Sequence, residues 1–234
     1  MGLATTQHMV NSIGSCFHLT RITYSPSDSV LGDAQLSEAT VVGFWQWAFG
    51  DLCDDDIKGI FAEWLVHKLL HIQTLRRCSW ANSDIITPGG TRIEVKSTAY
   101  WQTWKFLNEY GELEETPKHK ALTDDNKIRF AGLMARDSTS TDWSKTPTFK
   151  SDLYVFAFQS EKEIEKWNAL DLNQWEFFLV SAAELSRLGW KSISLTTLRK
   201  QFGSLTATEL ASRGRMEIAQ IEKANNNNNN ECPT

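Results

Sequence analysis

No stretch of this chain approaches the ~20 uninterrupted apolar residues that a membrane span requires, so no membrane-embedded function is expected. Cysteine is sparse, and Cys16, Cys53, Cys78 and Cys232 show no C-x-x-C or other metal-ligand spacing. They read as reduced thiols in a cytoplasmic protein. The opening residues MGLATTQHMVNSIG lack a basic segment followed by an apolar one, so a secretory signal is not expected either. Excess positive charge is also missing. A formal net charge of -5 argues against a protein that coats nucleic acid. It leaves room for an enzyme whose clustered carboxylates hold divalent cations and depress the sum. No internal repeat is visible.

What is present is ordinary globular composition, 41% hydrophobic and 23% charged in 234 residues, enough for one sizeable core. Basic residues gather in 117–150 (Lys118, Lys120, Lys127, Arg129, Arg136, Lys145, Lys150) and again at Arg187, Lys191, Arg199 and Lys200. Either group reads as a solvated face or as the lining of a phosphate-binding groove.

The first 35 residues show no sustained period. Residues 37–50 carry Val41, Phe44, Trp45 and Ala48 at helical spacing, with Ser37 as N-cap and Gly50 as stop. A second helix is predicted from an Asp54 cap to about His71, with Ile57, Phe61, Leu65 and Leu69 on its core face and Glu63 beside that stripe. A partly buried glutamate needs a partner. Residues 75–99 read as a β-hairpin around Pro88-Gly89-Gly90. A short strand is expected near 127–134, and SDLYVFAF and WEFFLVS read as buried strands. Capping boxes at Ser181-x-x-Glu184 and Thr206-x-x-Glu209 open two later helices, the second reaching about Ala224 before six asparagines.

Strand alternation makes Glu94 and Lys96 emerge on one face, and Asp84 on the partner strand can lie across from them. Two carboxylates on adjacent strands suit a hard cation that keeps several waters, and the backbone carbonyl of Val95 would add an oxygen. The Lys96 ammonium would then position water and stabilise negative charge developing on a phosphoryl group.

Ser83-Asp84, a nine-residue spacer and Glu94-Val95-Lys96 resemble the split signature of the PD-(D/E)XK phosphodiesterase superfamily, with Ser83 in place of its proline. Glu63 in GIFAEWLVHKLL resembles the acid of its upstream helix, and Gln102 the polar residue that often follows the lysine. The likeness spans roughly 42–200, its second half resembling that of uncharacterised bacterial proteins sharing this hairpin. It implies an α/β restriction-endonuclease-like fold, a central mixed β-sheet flanked by helices. The domain would cover 36–203, between an N-terminal arm (1–35), a C-terminal helix (204–224) and a disordered Asn-rich tail (225–234). It also implies a Mg²⁺- or Mn²⁺-dependent endonuclease acting on nucleic acid, DNA in the first instance, with restriction or defence as a fold-level association. Asp84 and Glu94 would bind metal and Lys96 and Glu63 complete the site. Lys118, Lys120, Lys127 and Arg129 are candidates for nucleic-acid contact. Symmetric double-strand cutting would require a homodimer or paired encounters.

Competing readings exist for each feature. A silent module of the same fold would bind nucleic acid or a partner without cutting. A small-molecule hydrolase would use the carboxylates without metal. The less favoured reading of the acid-acid-lysine set is a solvated strand face with a cross-strand ion pair, and Glu63 reads equally as the partner of a nearby Lys or His. His67 and His71 have the i, i+4 spacing of a helical zinc site but lack the intervening glutamate of H-E-x-x-H. Trp101 and Trp104 are base-stacking candidates, although core packing is the commoner use. Trp45, Trp64 and Trp175 fall at core-like positions, and Asp152 is placed to orient a basic residue.

Overall fold

A computed structural model describes residues 24–31, 39–73, 77, 81–101, 124–135 and 147–230. The chain divides into two compact units, Met1–Leu52 and Cys53–Thr234. The division falls later than the expected 35/36 boundary, so the first helix belongs with the N-terminal residues.

In the first unit, α1 (Val41–Phe49) is capped by Thr40, whose hydroxyl accepts from the Gly43 N–H, and the expected cap Ser37 lies outside the described residues. No residue of α1 is buried, and Phe44, Trp45 and Trp47 are exposed, so the predicted apolar stripe is not a core face here.

The second unit is mixed α/β. A four-stranded sheet has the order β1-β2-β4-β5, from β1 (Ile85–Ile86), β2 (Arg92–Ala99), β4 (Leu153–Gln159) and β5 (Trp175–Ser181). β1 and β2 are antiparallel, β2 and β4 parallel, and β4 and β5 antiparallel. All seven residues of β4 are buried, as a strand covered on both faces requires. A two-stranded ribbon pairs β3 (Arg129–Phe130) with β6 (Ile193–Ser194).

Alternation splits the core. Tyr154, Phe156, Phe158, Phe178 and Val180 pack with Ile128, Phe130, Leu133 and Ile193 of the ribbon region and with Leu185, Leu195 and Leu198 of α3 (Ala182–Leu188) and α4 (Leu195–Phe202). α2 (Asp55–Leu69) packs on β2, and α5 (Ala207–Asn230) on β5 and α2.

Local signals explain the helix ends. Asp54 accepts from the N–H groups of Asp56 and Ile57 at 3.0 and 3.2 Å. At the other end His71 adopts φ 56°, with its N–H bonded to Lys68 O and that of Ile72 to His67 O, a Schellman closure with histidine where glycine is usual. Both capping boxes form. The buried stripe of α2 is rotated from the expected one, comprising Lys58, Ala62, Leu65 and Val66. Lys58 is tolerated inside because its ammonium donates to Asp55 at 2.7 Å and to the Trp101 carbonyl at 3.0 Å.

The C-terminal helix is no appendage: Leu210 is fully buried and Leu205 bridges to Phe177. It also runs on to Asn230, past the expected stop at 224. Asparagine is a poor helix former, but extending an existing helix avoids the nucleation cost. No helix among the described residues is long and apolar enough to cross a membrane.

Candidate functional site

The hairpin places the predicted residues. Thr87 and Thr91 close the turn, Thr87 N–H donating to Thr91 O at 2.9 Å, and Gly90 takes φ 89°, where a side chain would be strained. Ile85 pairs with Ile93, so Asp84 stands opposite Glu94. Hydrogen-bonded pairs recur every second residue, which turns the N–H and C=O of Val95 toward the side where β1 has already ended. The vacated N–H is taken by the Asp84 carboxylate, which accepts it at 2.8 Å. The Val95 carbonyl points to the same side by the same geometry.

The charges are unevenly matched. Lys96 Nζ lies 2.7 Å from Glu94 Oε1. Glu63 is held by the Arg77 fork, Nη2 to Oε1 at 2.8 Å and Nε to Oε2. Asp84 has no ion-pair partner among the described residues. Burial, then the neighbouring charges of Glu94 and Glu63, push its carboxyl up to about 7, against the opposing pull of the Val95 N–H and Lys96. Asp84, Glu94, Glu63 and Lys96 thus form one electrostatic cluster.

Arg77 is a member that sequence reading missed. The demand of a partly buried Glu63 for a cation was the available signal, but an arginine 14 residues away was not the Lys or His expected. Two serines were missed as well. Ser83 and Ser151 are buried, 3% and 2% exposed, with hydroxyls 2.9 Å apart, and Ser151 Oγ lies 3.5 Å from Glu94 Oε2. Tyr154, opposite Glu94 on β4, accepts the Lys150 N–H at 3.2 Å.

No protein-family model matches this chain, and a search of curated proteins finds none similar to it.

Other expectations fare differently. Gln102, Lys118, Lys120 and Trp104 lie outside the described residues. Lys127 is largely exposed, 4.0 Å from Asp124, and Arg129 donates to Ser192 Oγ at 2.9 Å. Arg199 is not open to phosphate: its guanidinium is taken by Glu176 at 2.6 and 2.9 Å and by Asp125. His67 and His71 do not share a helical face, because α2 ends at Leu69 and His71 has turned into the left-handed region. Trp101 is buried at 5% exposure, which excludes base stacking by its ring as placed. Trp175 is core, whereas Trp64 and Trp45 are exposed at 52% and 42%. Asp152 does orient a basic residue, Arg92, at 2.7 Å.

The donor set is suited to a hard cation. Among the described residues no three His, Cys, Asp or Glu side chains form a ready-made cage. A Mg²⁺ site commonly uses one or two carboxylates with water and substrate oxygens, and Asp84 with Glu94 meets that requirement. Asp84, Glu94 and Glu63 concentrate negative charge that Lys96 and Arg77 offset only in part, and a divalent cation would offset it further.

Proposed function

We propose that this chain is a divalent-metal-dependent phosphodiesterase that hydrolyses nucleic acid, DNA in the first instance, on a restriction-endonuclease-like version of its mixed α/β fold. The observation that carries the reading is the convergence of Asp84, Glu94 and Lys96 at the end of β1, with Asp84 crowded by two further carboxylates. The resemblance of Asp84…Glu94-Val95-Lys96 to the PD-(D/E)XK signature supports it independently.

Asp84, Glu94 and the Val95 carbonyl would hold Mg²⁺ or Mn²⁺, which when bound supplies Lewis-acid polarisation of the phosphoryl oxygens and acidifies water. Lys96 extends beside Glu94, where its ammonium orients the attacking water and offsets charge growing on the phosphoryl oxygens. Glu63, gripped by Arg77, adds negative potential at Asp84 and so strengthens the attraction for a cation.

Plasmid cleavage with Mg²⁺ or Mn²⁺ tests the reading. Lys96→Ala and Asp84→Ala are each expected to lower the rate by at least about 100-fold. Cleavage that persists in both variants removes this site. Salt-sensitive DNA binding without any cleavage would instead identify a silent module of the same fold.

A further inference from the structure

Two buried hydroxyls beside the acidic cluster are unexplained by the roles assigned so far. Ser83 and Ser151 come from different elements, one preceding β1 and one preceding β4, and each is nearly devoid of solvent contact. Burying a hydroxyl is unfavourable unless it is bonded, so alanine at both positions would be the simpler way to fill the space. Their 2.9 Å separation satisfies the pair, and Ser151 also faces Glu94 Oε2 at 3.5 Å. Hydroxyl protons rotate to suit their surroundings. Ser151 donates to Ser83 at 2.9 Å and has Glu94 Oε2 within reach at 3.5 Å, so rotating its one hydroxyl proton redirects it from Ser83 to Glu94.

The rest of the setting favours precision at Glu94. Its other oxygen, Oε1, is held by Lys96 at 2.7 Å, so the carboxylate has a partner at each end. The turn that carries Ser151 is fastened by the Tyr154 hydroxyl, which accepts the N–H of the preceding Lys150 at 3.2 Å. Tyr154 is itself 1% exposed and stands opposite Glu94 in the parallel pairing of β2 and β4. Proline at 83, as in the signature this segment resembles, would have no hydroxyl to enter the chain.

We propose that Ser151, supported by Ser83 and fastened by Tyr154, is a positioning residue that sets the Glu94 carboxylate for a divalent cation. The proposal rests on the metal-dependent reading of the site. Ligand carboxylates are commonly fixed by hydrogen bonds of this kind, and losing one weakens metal affinity by about 10- to 100-fold.

The experiment is Mn²⁺ titration of the full chain, followed by electron paramagnetic resonance, with urea unfolding as the check on folding. Ser151→Ala is expected to bind Mn²⁺ about tenfold more weakly, and the Mn²⁺ concentration for half-maximal cleavage should rise by a similar factor. Ser83→Ala/Ser151→Ala leaves no unpaired hydroxyl, so it keeps its unfolding midpoint and shows the same weakening even if Ser151→Ala alone folds poorly. Wild-type Mn²⁺ affinity in the folded double variant, alongside lost binding in Glu94→Ala, overturns the positioning role and leaves the site assignment standing. Absence of Mn²⁺ binding to the wild-type chain, or binding that survives Glu94→Ala, overturns both.

Discussion

The two charged clusters at the ends of β2 are built from similar residues and differ in how they are balanced. Beyond its C-terminal end, Arg199 grips Glu176 through two nitrogens and Asp125 through a third, and Asp125 accepts the Tyr100 hydroxyl. Every carboxylate there meets a donor head-on, and Arg199 lies over the Phe158 ring at 5.7 Å. At the N-terminal end the cations make their ion pairs with Glu94 and Glu63, and Asp84 accepts one backbone N–H and feels Lys96 and Arg77 only at longer range. The first cluster ties loop, strand and helix together. The second leaves Asp84 crowded by like charge, an imbalance that suits the proposed cation better than a purely structural role.

That contrast makes unequal predictions. Arg199→Ala should cost about 2 kcal/mol, after allowing for partial exposure, because three charge-assisted bonds vanish and two acids are left facing each other. The urea midpoint should fall with little change in slope; an unchanged midpoint would show the network to be dispensable.

Asp84→Asn should act in the opposite sense and only above acidic pH. A carboxyl raised from 3.8 to about 7 keeps its proton in the folded chain while the unfolded chain has lost it. Stability therefore falls as pH rises between roughly 4 and 7 and levels off above, at most about 1.4 kcal/mol lost per pH unit from this group. In metal-free buffer the Asn variant should lose that slope and melt higher than wild type at pH 8. Identical pH profiles for the two proteins would contradict the charge imbalance.

The smallest effect should come from outside both clusters. His71→Gly relieves a left-handed residue at the end of α2 and should raise stability by about 0.5–1 kcal/mol, read from the same urea curves. A loss of stability would mean that the imidazole makes a compensating contact.

The hairpin was legible because Pro88-Gly89-Gly90 and the alternation of Ile93 and Val95 with Glu94 and Lys96 are local signals. The same holds for the Asp54 cap, the two capping boxes and the continuous apolar run of β4. The acidic pair followed from register alone, once Ile85 was set against Ile93. Less legible was the inner face of α2, where Lys58 is buried because Asp55 and a distant carbonyl accept its protons. Arg77 on Glu63, Ser151 beside Glu94 and Arg199 between two acids join residues 14, 57 and up to 74 positions apart, beyond any local pattern.

By itself, then, the amino-acid order marked the hairpin turn, the Asp54 cap, the two capping boxes and which side chains alternate along β2, since these follow from steric preferences and hydrogen bonding among near neighbours. Only the tertiary structure decided which acids keep a cation, because pairing and desolvation depend on what the folded chain brings alongside each charge. Asp84 shows the difference: the hairpin allowed it to lie across from Glu94, the folded register set it there, and its raised pKa came only with burial.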